Sequence, residues 1–312
     1  MEVWGYVPNF DEVAAWESAW RNRRVLTGVS VVRCYLDANG EPVDYPTAPR
    51  MPEWVGGSGL KTALLVANQT EARWDSAVVD RALADAPSRR LHVDRLLDCV
   101  RLAGYGGVEI DYEALPLVLR EPFSLFVEEL AHALQNGSKE LAVAVHAKQS
   151  EPGESAGSQG QDWARIGAAA DRVAIMAYDF DPSRPGPVSP VAWTRDVLRH
   201  ALDLIPANRV IQGVPLYGYL WRDGADPDYL TYGDFQNLAT SHGASPRREA
   251  ADRHLVLQYE EGGHSFEAWL PDRQTVATLA SVGRQLGVAG YSLWRLGGEQ
   301  DDALAALEGA PS

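Results

Sequence analysis

The chain has 312 residues, 46% of them hydrophobic, and a mean hydropathy of -0.24. That is enough apolar content for one large α/β barrel or two ordinary domains. The formal charge is -15 and no dense Lys/Arg run appears, which argues against nucleic acid and anionic membrane as partners.

No apolar run approaches the roughly 18 residues of a membrane span. MEVWGYVPNF opens at once as a strand, without signal-peptide architecture, so the sequence as it stands is expected to be cytoplasmic. A secreted or cell-wall-associated chain whose leader had been removed would read the same. The lysines are only Lys61, Lys139 and Lys148, a coding bias and not a functional signal.

Short β-type runs then alternate with longer amphipathic segments. VWGYV (from Val3), VLTGVSVV (from Val25) and TALLVA (from Thr62) read as the first three strands. HVDRLLDCVRLAG reads as a helix ending at Gly104, before the strand GVEIDY from Gly107. PFSLFVEELAHALQNG leads into LAVAVH (from Leu141), followed by a polar Gly/Ser-rich loop over 149–160. VAIMAY (from Val173), the helix VAWTRDVLRHALDLI, VIQGVPL (from Val210) and GYSLW (from Gly290) complete the series.

Eight strands alternating with helices predict an α/β fold, a (β/α)8 TIM barrel, over a doubly wound sheet. From Trp221 to Asp272 the rhythm changes to strands and a hairpin at Gly262-Gly263. The expected organisation is a barrel over 1–220 and 273–312, with a small α+β insertion over 221–272 between strands seven and eight.

Two cysteines, Cys34 and Cys99, lie in unlike contexts without metal-type spacing and are expected to be free, buried thiols. No Gly-x-Gly-x-x-Gly follows the first strand, and neither a phosphate loop nor a metal constellation is evident. No cofactor and no metal are expected, and the chain is expected to be a monomer.

The chemistry concentrates in GGVEIDYEAL, from Gly106 to Leu115. On a strand, Glu109, Asp111 and Glu113 face the same way, about 6.6 Å apart per pair of residues. Both faces of a barrel strand are covered, so this row is not a wet surface, and burying it would be costly without a purpose. Stacked carboxylates resist simultaneous ionisation, so one is expected to hold a proton near neutral pH. Glu113, nearest the C-terminal end of the strand, would face a substrate as general acid, with Asp111 beneath it.

GGVEIDYE resembles the strand-four signature DGxDxDxE of family 18 glycoside hydrolases, a barrel family that includes chitinases. IMAYD (from Ile175) resembles that family's strand-six Met-x-Tyr-Asp motif, GVPLYGYLW (from Gly213) its strand seven and GYSLWRLGGE (from Gly290) its strand eight. VHAKQSEPG and the insertion are similar to a bacterial branch that includes spore-cortex-lytic hydrolases.

The resemblance implies a retaining hydrolase of β-linked N-acetylglucosamine glycans, chitin oligomers or peptidoglycan, in which the substrate's own acetamido group is the nucleophile. It implies Glu113 as acid and later base, and Asp111 as the partner of the acetamido N–H. Tyr178 would bind the acetamido oxygen and Asp179 would help fix the group. Met176 and Trp294 would line the sugar site, with Trp294 as its floor, and Tyr217 is a substrate-binding candidate balanced between binding and packing. Glu109 replaces the family's middle Asp, which shares hydrogen bonds with the position of Asp111; the longer Glu could still do so, or could lock Asp111 in an unhelpful rotamer. Gly106 replaces its first Asp.

A non-hydrolytic chitinase-like carbohydrate-binding protein is the alternative, opposed by retention of Glu113. A barrel reused for other amino-sugar chemistry is a second. Among further residues, Asn68 is a weak candidate for contacting sugar hydroxyls, and Trp221 is balanced between binding and packing. His146 reads as a core histidine and Glu299 as a helix N-terminal acid.

Overall fold

A computed structural model describes residues 1–70 and 73–307. Eight parallel strands close into a barrel: β1 (Glu2–Val7), β2 (Gly28–Leu36), β3 (Lys61–Ala67), β4 (Gly107–Asp111), β5 (Glu140–His146), β6 (Arg172–Met176), β7 (Val210–Pro215) and β8 (Gly290–Trp294). Each pairs with its sequence neighbour, and β8 pairs with β1 to close the ring. All eight are the runs read from the sequence.

Alternation on β4 decides what each face does. Val108, Ile110 and Tyr112 point outward into the main apolar core beneath the helices. Tyr112 stacks on Phe126 and its hydroxyl meets His92 Nε2 at 2.8 Å. Glu109 and Asp111 therefore face the lumen.

The helices have local causes. The 18-residue helix Ala86–Ala103 starts at Asp85, whose side chain accepts from Ser88 N–H, and buries Val93, Leu96 and Val100 at helical spacing. It stops at Gly104, which adopts the left-handed conformation (φ 73°) that glycine enters without strain. Helix Arg273–Leu286, before β8, starts on a capping box of Asp272 and Thr275 and ends at left-handed Gly287.

Between β7 and β8 lies a five-stranded antiparallel sheet with helix Tyr232–Ser241 on its own small core of Leu230, Phe235, Leu257, Ala268 and Leu270. Its hairpin turns at Gly262 and Gly263, both at positive φ. The sheet begins with the strand Gly218–Arg222, three residues ahead of the expected start of the insertion at Trp221 and overlapping the strand-seven motif GVPLYGYLW. Apolar content alone does not mark that break.

Cys34 and Cys99 are both free. Cys34 is buried and donates to Asp44 Oδ1 at 3.2 Å. Cys99 is half-buried, less covered than expected.

Candidate active site

The C-terminal ends of the barrel strands surround a cleft of about 520 Å³, lined among others by Asp111, Glu113, His146, Met176, Tyr178 and Trp294. Asp179 lines it too, whereas Glu109 and Tyr217 stand behind the wall.

Glu109 is 3% exposed and spans the lumen to the first two strands. Tyr6 donates its hydroxyl to Oε1 at 2.5 Å and Ser30 donates to Oε2. Its hydrogen bonds are thus to Tyr6 and Ser30, not to Asp111 as the motif suggested. The longer side chain carries the carboxylate to hydroxyls on the opposite wall.

Asp111 is 7% exposed, and its Oδ1 has no hydrogen-bond partner. Burial first, and the Glu109 charge second, push its carboxyl up to about 7. Such an oxygen is costly unless a ligand donates to it.

Glu113 follows the last hydrogen-bonded residue of β4, and its position comes from Asn68 at the end of β3. Asn68 Nδ2 donates to Glu113 O at 2.9 Å, while Glu113 N–H donates to Asn68 Oδ1 at 2.8 Å. Asn68 is fully buried, so it does not reach a sugar; its amide is spent on the backbone of Glu113 and on Asp75 O. Burial, then the charges of Asp111 and Asp179, hold the Glu113 carboxyl well above the usual carboxylate range. The environment therefore favours the acid form of Glu113 over the carboxylate.

On the adjoining wall, β6 ends at Met176 and the chain continues to Tyr178 and Asp179. Asp179 sits at φ 56° and accepts from Tyr219 hydroxyl at 2.7 Å and from Tyr217 hydroxyl. Tyr217, 2% exposed, thus props Asp179 from behind and meets the Tyr178 ring edge-on at 6.2 Å. Tyr178 lies against β7 where Gly213 has no side chain; a Cβ there would come 2.8 Å from the Tyr178 ring and 2.5 Å from Ile175 O. Trp294 ends β8 and packs its ring 5.3 Å from that of Tyr6.

The loop after β5 is polar but not loose. Lys148 is buried, with Nζ donating to Gln161 O at 2.6 Å and facing Glu151 at 2.8 Å. Arg120 pins the same segment through Glu151 and Asp162. Trp221 is 1% exposed and donates its Nε1–H to Pro182 O, a packing role. Glu299 caps no helix; it accepts from Ser18 Oγ and from Gly297 N–H at 2.7 Å, tying the loop after β8 to the first helix.

His146 was expected to be core. Instead its Nε2 lies 3.3 Å from Glu113 Oε2. No sequence signal marked it, because His and Glu come from neighbouring strands 33 residues apart in number (146 − 113). Among the described residues, no group of three or more His, Cys, Asp and Glu is placed to hold a metal ion, and no helix is long and apolar enough to cross a membrane.

The sequence model of the glycosyl hydrolases family 18 matches residues 58–299. The chain belongs to family 18 of the glycosyl hydrolases. It is a glycoside hydrolase, with family 18 relatives along most of its length. The uncharacterized glycosylase YvbX of Bacillus subtilis is 25% identical over 304 residues, 95% of this chain and 88% of the relative. The cortical fragment-lytic enzyme of Bacillus subtilis is 25% identical over 69% of this chain and 52% of its own length. Among solved structures, a chitinase from Chromobacterium violaceum superposes with a TM-score of 0.89 at 27% identity, covering 98% of both chains.

Proposed function

We propose that this family 18 enzyme hydrolyses β-linked N-acetylglucosamine glycans with retention, using the substrate's acetamido group as nucleophile. The observation that carries the proposal is the pairing, on one wall of the cleft, of Glu113, whose carboxyl is held well above the usual carboxylate range, with Asp111, whose buried Oδ1 lacks a donor. An acetamido N–H is a donor of the right kind for that oxygen.

In this reading Glu113 gives its proton to the glycosidic oxygen as the C1–O bond breaks. The acetamido carbonyl oxygen attacks C1 from the opposite face and forms an oxazolinium. Asp111 accepts the N–H and offsets the positive charge, while the Tyr178 hydroxyl donates to the acetamido oxygen. Glu113, now a carboxylate, then takes a proton from water, whose oxygen attacks C1 and reopens the ring with retention. Glu154 also lines the cleft, but its carboxylate accepts from Gln149 N–H and Ser150 hydroxyl within its own loop, which argues against it as a nucleophile. The similarity to chitinases and to cortical fragment-lytic enzymes supports chitin oligomers or peptidoglycan as the substrate class.

The test is inhibition by a thiazoline mimic of the oxazolinium. It is expected to compete with substrate and to bind at least ~10²-fold more tightly than N-acetylglucosamine, as transition-state-like ligands do. A glycosyl group trapped covalently on an enzyme carboxylate would refute substrate assistance.

A further inference from the structure

We propose that His146 is a positioning residue that keeps Glu113 protonated in the substrate-free enzyme, by accepting a hydrogen bond from the Glu113 carboxyl at its unprotonated Nε2. The proposal rests on the reading of Glu113 as the acid and adds to it the group that holds the proton in place.

The tautomer follows from the backbone. Ala114 N–H donates to His146 Nε2 at 3.4 Å, so that nitrogen presents its lone pair and the ring proton of the neutral imidazole is on Nδ1. Glu113 Oε2 is 3.3 Å from the same lone pair. With Glu113 ionised, two acceptors would face each other across that gap. With Glu113 protonated, its O–H can share the Nε2 lone pair with the long 3.4 Å Ala114 N–H contact. The contact therefore favours acid over carboxylate.

The separation is fixed by Gln161. Its Oε1 accepts from His146 N–H at 2.8 Å and its Nε2 donates to Tyr112 O at 3.1 Å, so one buried amide ties the end of β5 to the residue before Glu113. Burial pushes the His146 imidazole down to about 4, so the ring stays neutral wherever the enzyme would work near neutral pH.

The charged groups around the pair do not reverse the effect. Asp111 from β4 and Asp179 from the loop after β6 both raise the cost of ionising Glu113. Beyond β5, Lys148 directs Nζ into Gln161 O, Pro152 O and Glu151, and Glu154 is held by Gln149 and Ser150. Met176, the register partner of His146 on β6, is uncharged.

The experiment is the pH dependence of kcat/KM, which reports the free enzyme, on a defined N-acetylglucosamine oligosaccharide. It compares the wild type with His146→Phe, which keeps a ring and removes both nitrogens, and His146→Gln, whose carbonyl oxygen can accept the same proton. Loss of the acceptor is expected to move the basic limb of His146→Phe down by about 1 pH unit, so that its deficit against wild type deepens about tenfold as pH rises past the limb. His146→Gln is expected to recover at least half of that displacement.

A deficit of the same size at every pH would show that His146 only packs, and would overturn the inference. Should His146→Phe not fold, the nitrogen chemical shift of His146 Nε2 in the wild-type protein decides. An unprotonated nitrogen from pH 5 to 8 is expected, and a protonated Nε2 at pH 6 would refute the proposal. Glu113→Gln separates the two levels. Wild-type turnover in that variant would remove the acid reading and this inference together; an inactive Glu113→Gln beside an unmoved limb in His146→Phe removes this inference alone.

Discussion

Asn68 holds the peptide group of Glu113 from both sides, donating to its carbonyl at 2.9 Å and accepting from its N–H at 2.8 Å. The reciprocal pair lies just past the last register pair of β3 with β4, Ala67↔Asp111, joining the next residue of one strand to the second residue beyond the end of the other. A side-chain amide thus stands in for the next rung of the ladder and sets where the carboxyl points.

Asn68→Ala should therefore reduce activity as well as stability. It leaves the Glu113 N–H, the Glu113 carbonyl and Asp75 O without their partner in a buried place, at a cost of about 2–4 kcal/mol in chemical denaturation. The acid loses its placement, and kcat is expected to fall ~10-fold or more, since small misplacements of reacting groups are costly. Equal kcat with lower stability would confine Asn68 to a structural role.

Glu113→Gln should lower kcat at least ~10²-fold, the usual contribution of a general acid, while oligosaccharide binding by calorimetry changes little. The amide preserves shape and removes the transferable proton. Turnover close to wild type on an unactivated glycan would place the acid elsewhere.

Asp111 makes stability depend on pH in a direction opposite to an ion-paired carboxylate. Its folded carboxyl is raised to about 7 from an ordinary value of 3.8. Below the ordinary value both folded and unfolded chains are protonated and the group costs nothing. As pH rises from about 4 to about 7 the unfolded chain releases its proton first, so stability is lost across that window. Asp111→Asn should accordingly raise stability more at pH 8 than at pH 5, by a difference on the order of 1–3 kcal/mol. Thermal melts of both proteins at the two pH values read this directly. A larger gain at pH 5 would contradict the burial argument.

What the sequence disclosed and what it hid follow from one physical distinction. Alternation along a strand tells which face a side chain takes, and this sufficed for the lumenal carboxylates. It does not tell which residue on another strand stands opposite. Asn68, His146 and Gln161 act on Glu113 or its neighbour across strand ends, and each pairing depends on the register of the closed barrel. Sequence leaves Tyr217 balanced between binding and packing; the fold turns it behind Asp179. The loop over 149–160 reads as polar and Gly/Ser-rich, and nothing local reveals that Lys148 and Arg120 pin it.

The Glu109 position shows what register adds to the motif. With its oxygens held by Tyr6 and Ser30, Glu109 acts on Asp111 through charge alone. Glu109→Gln should keep the hydrogen bonds, because the Ser30 hydroxyl can turn to accept from an amide. It removes the negative charge, which eases ionisation of Asp111. In the proposed mechanism Asp111 works as a carboxylate, so the acidic limb of the kcat/KM profile should move to lower pH, while the basic limb, governed by Glu113, moves less. The two limbs belong to a coupled pair, and the displacement of one against the other is the informative quantity. Glu109→Asp, which restores the residue the motif usually carries, should instead weaken the protein. The shorter side chain cannot reach both hydroxyls across the lumen, and one buried polar group is left unpaired at a cost of about 1–3 kcal/mol. An acidic limb unmoved in Glu109→Gln, measured beside an unchanged melting temperature in Glu109→Asp, would show that Glu109 neither sets the ionisation of Asp111 nor braces the barrel floor.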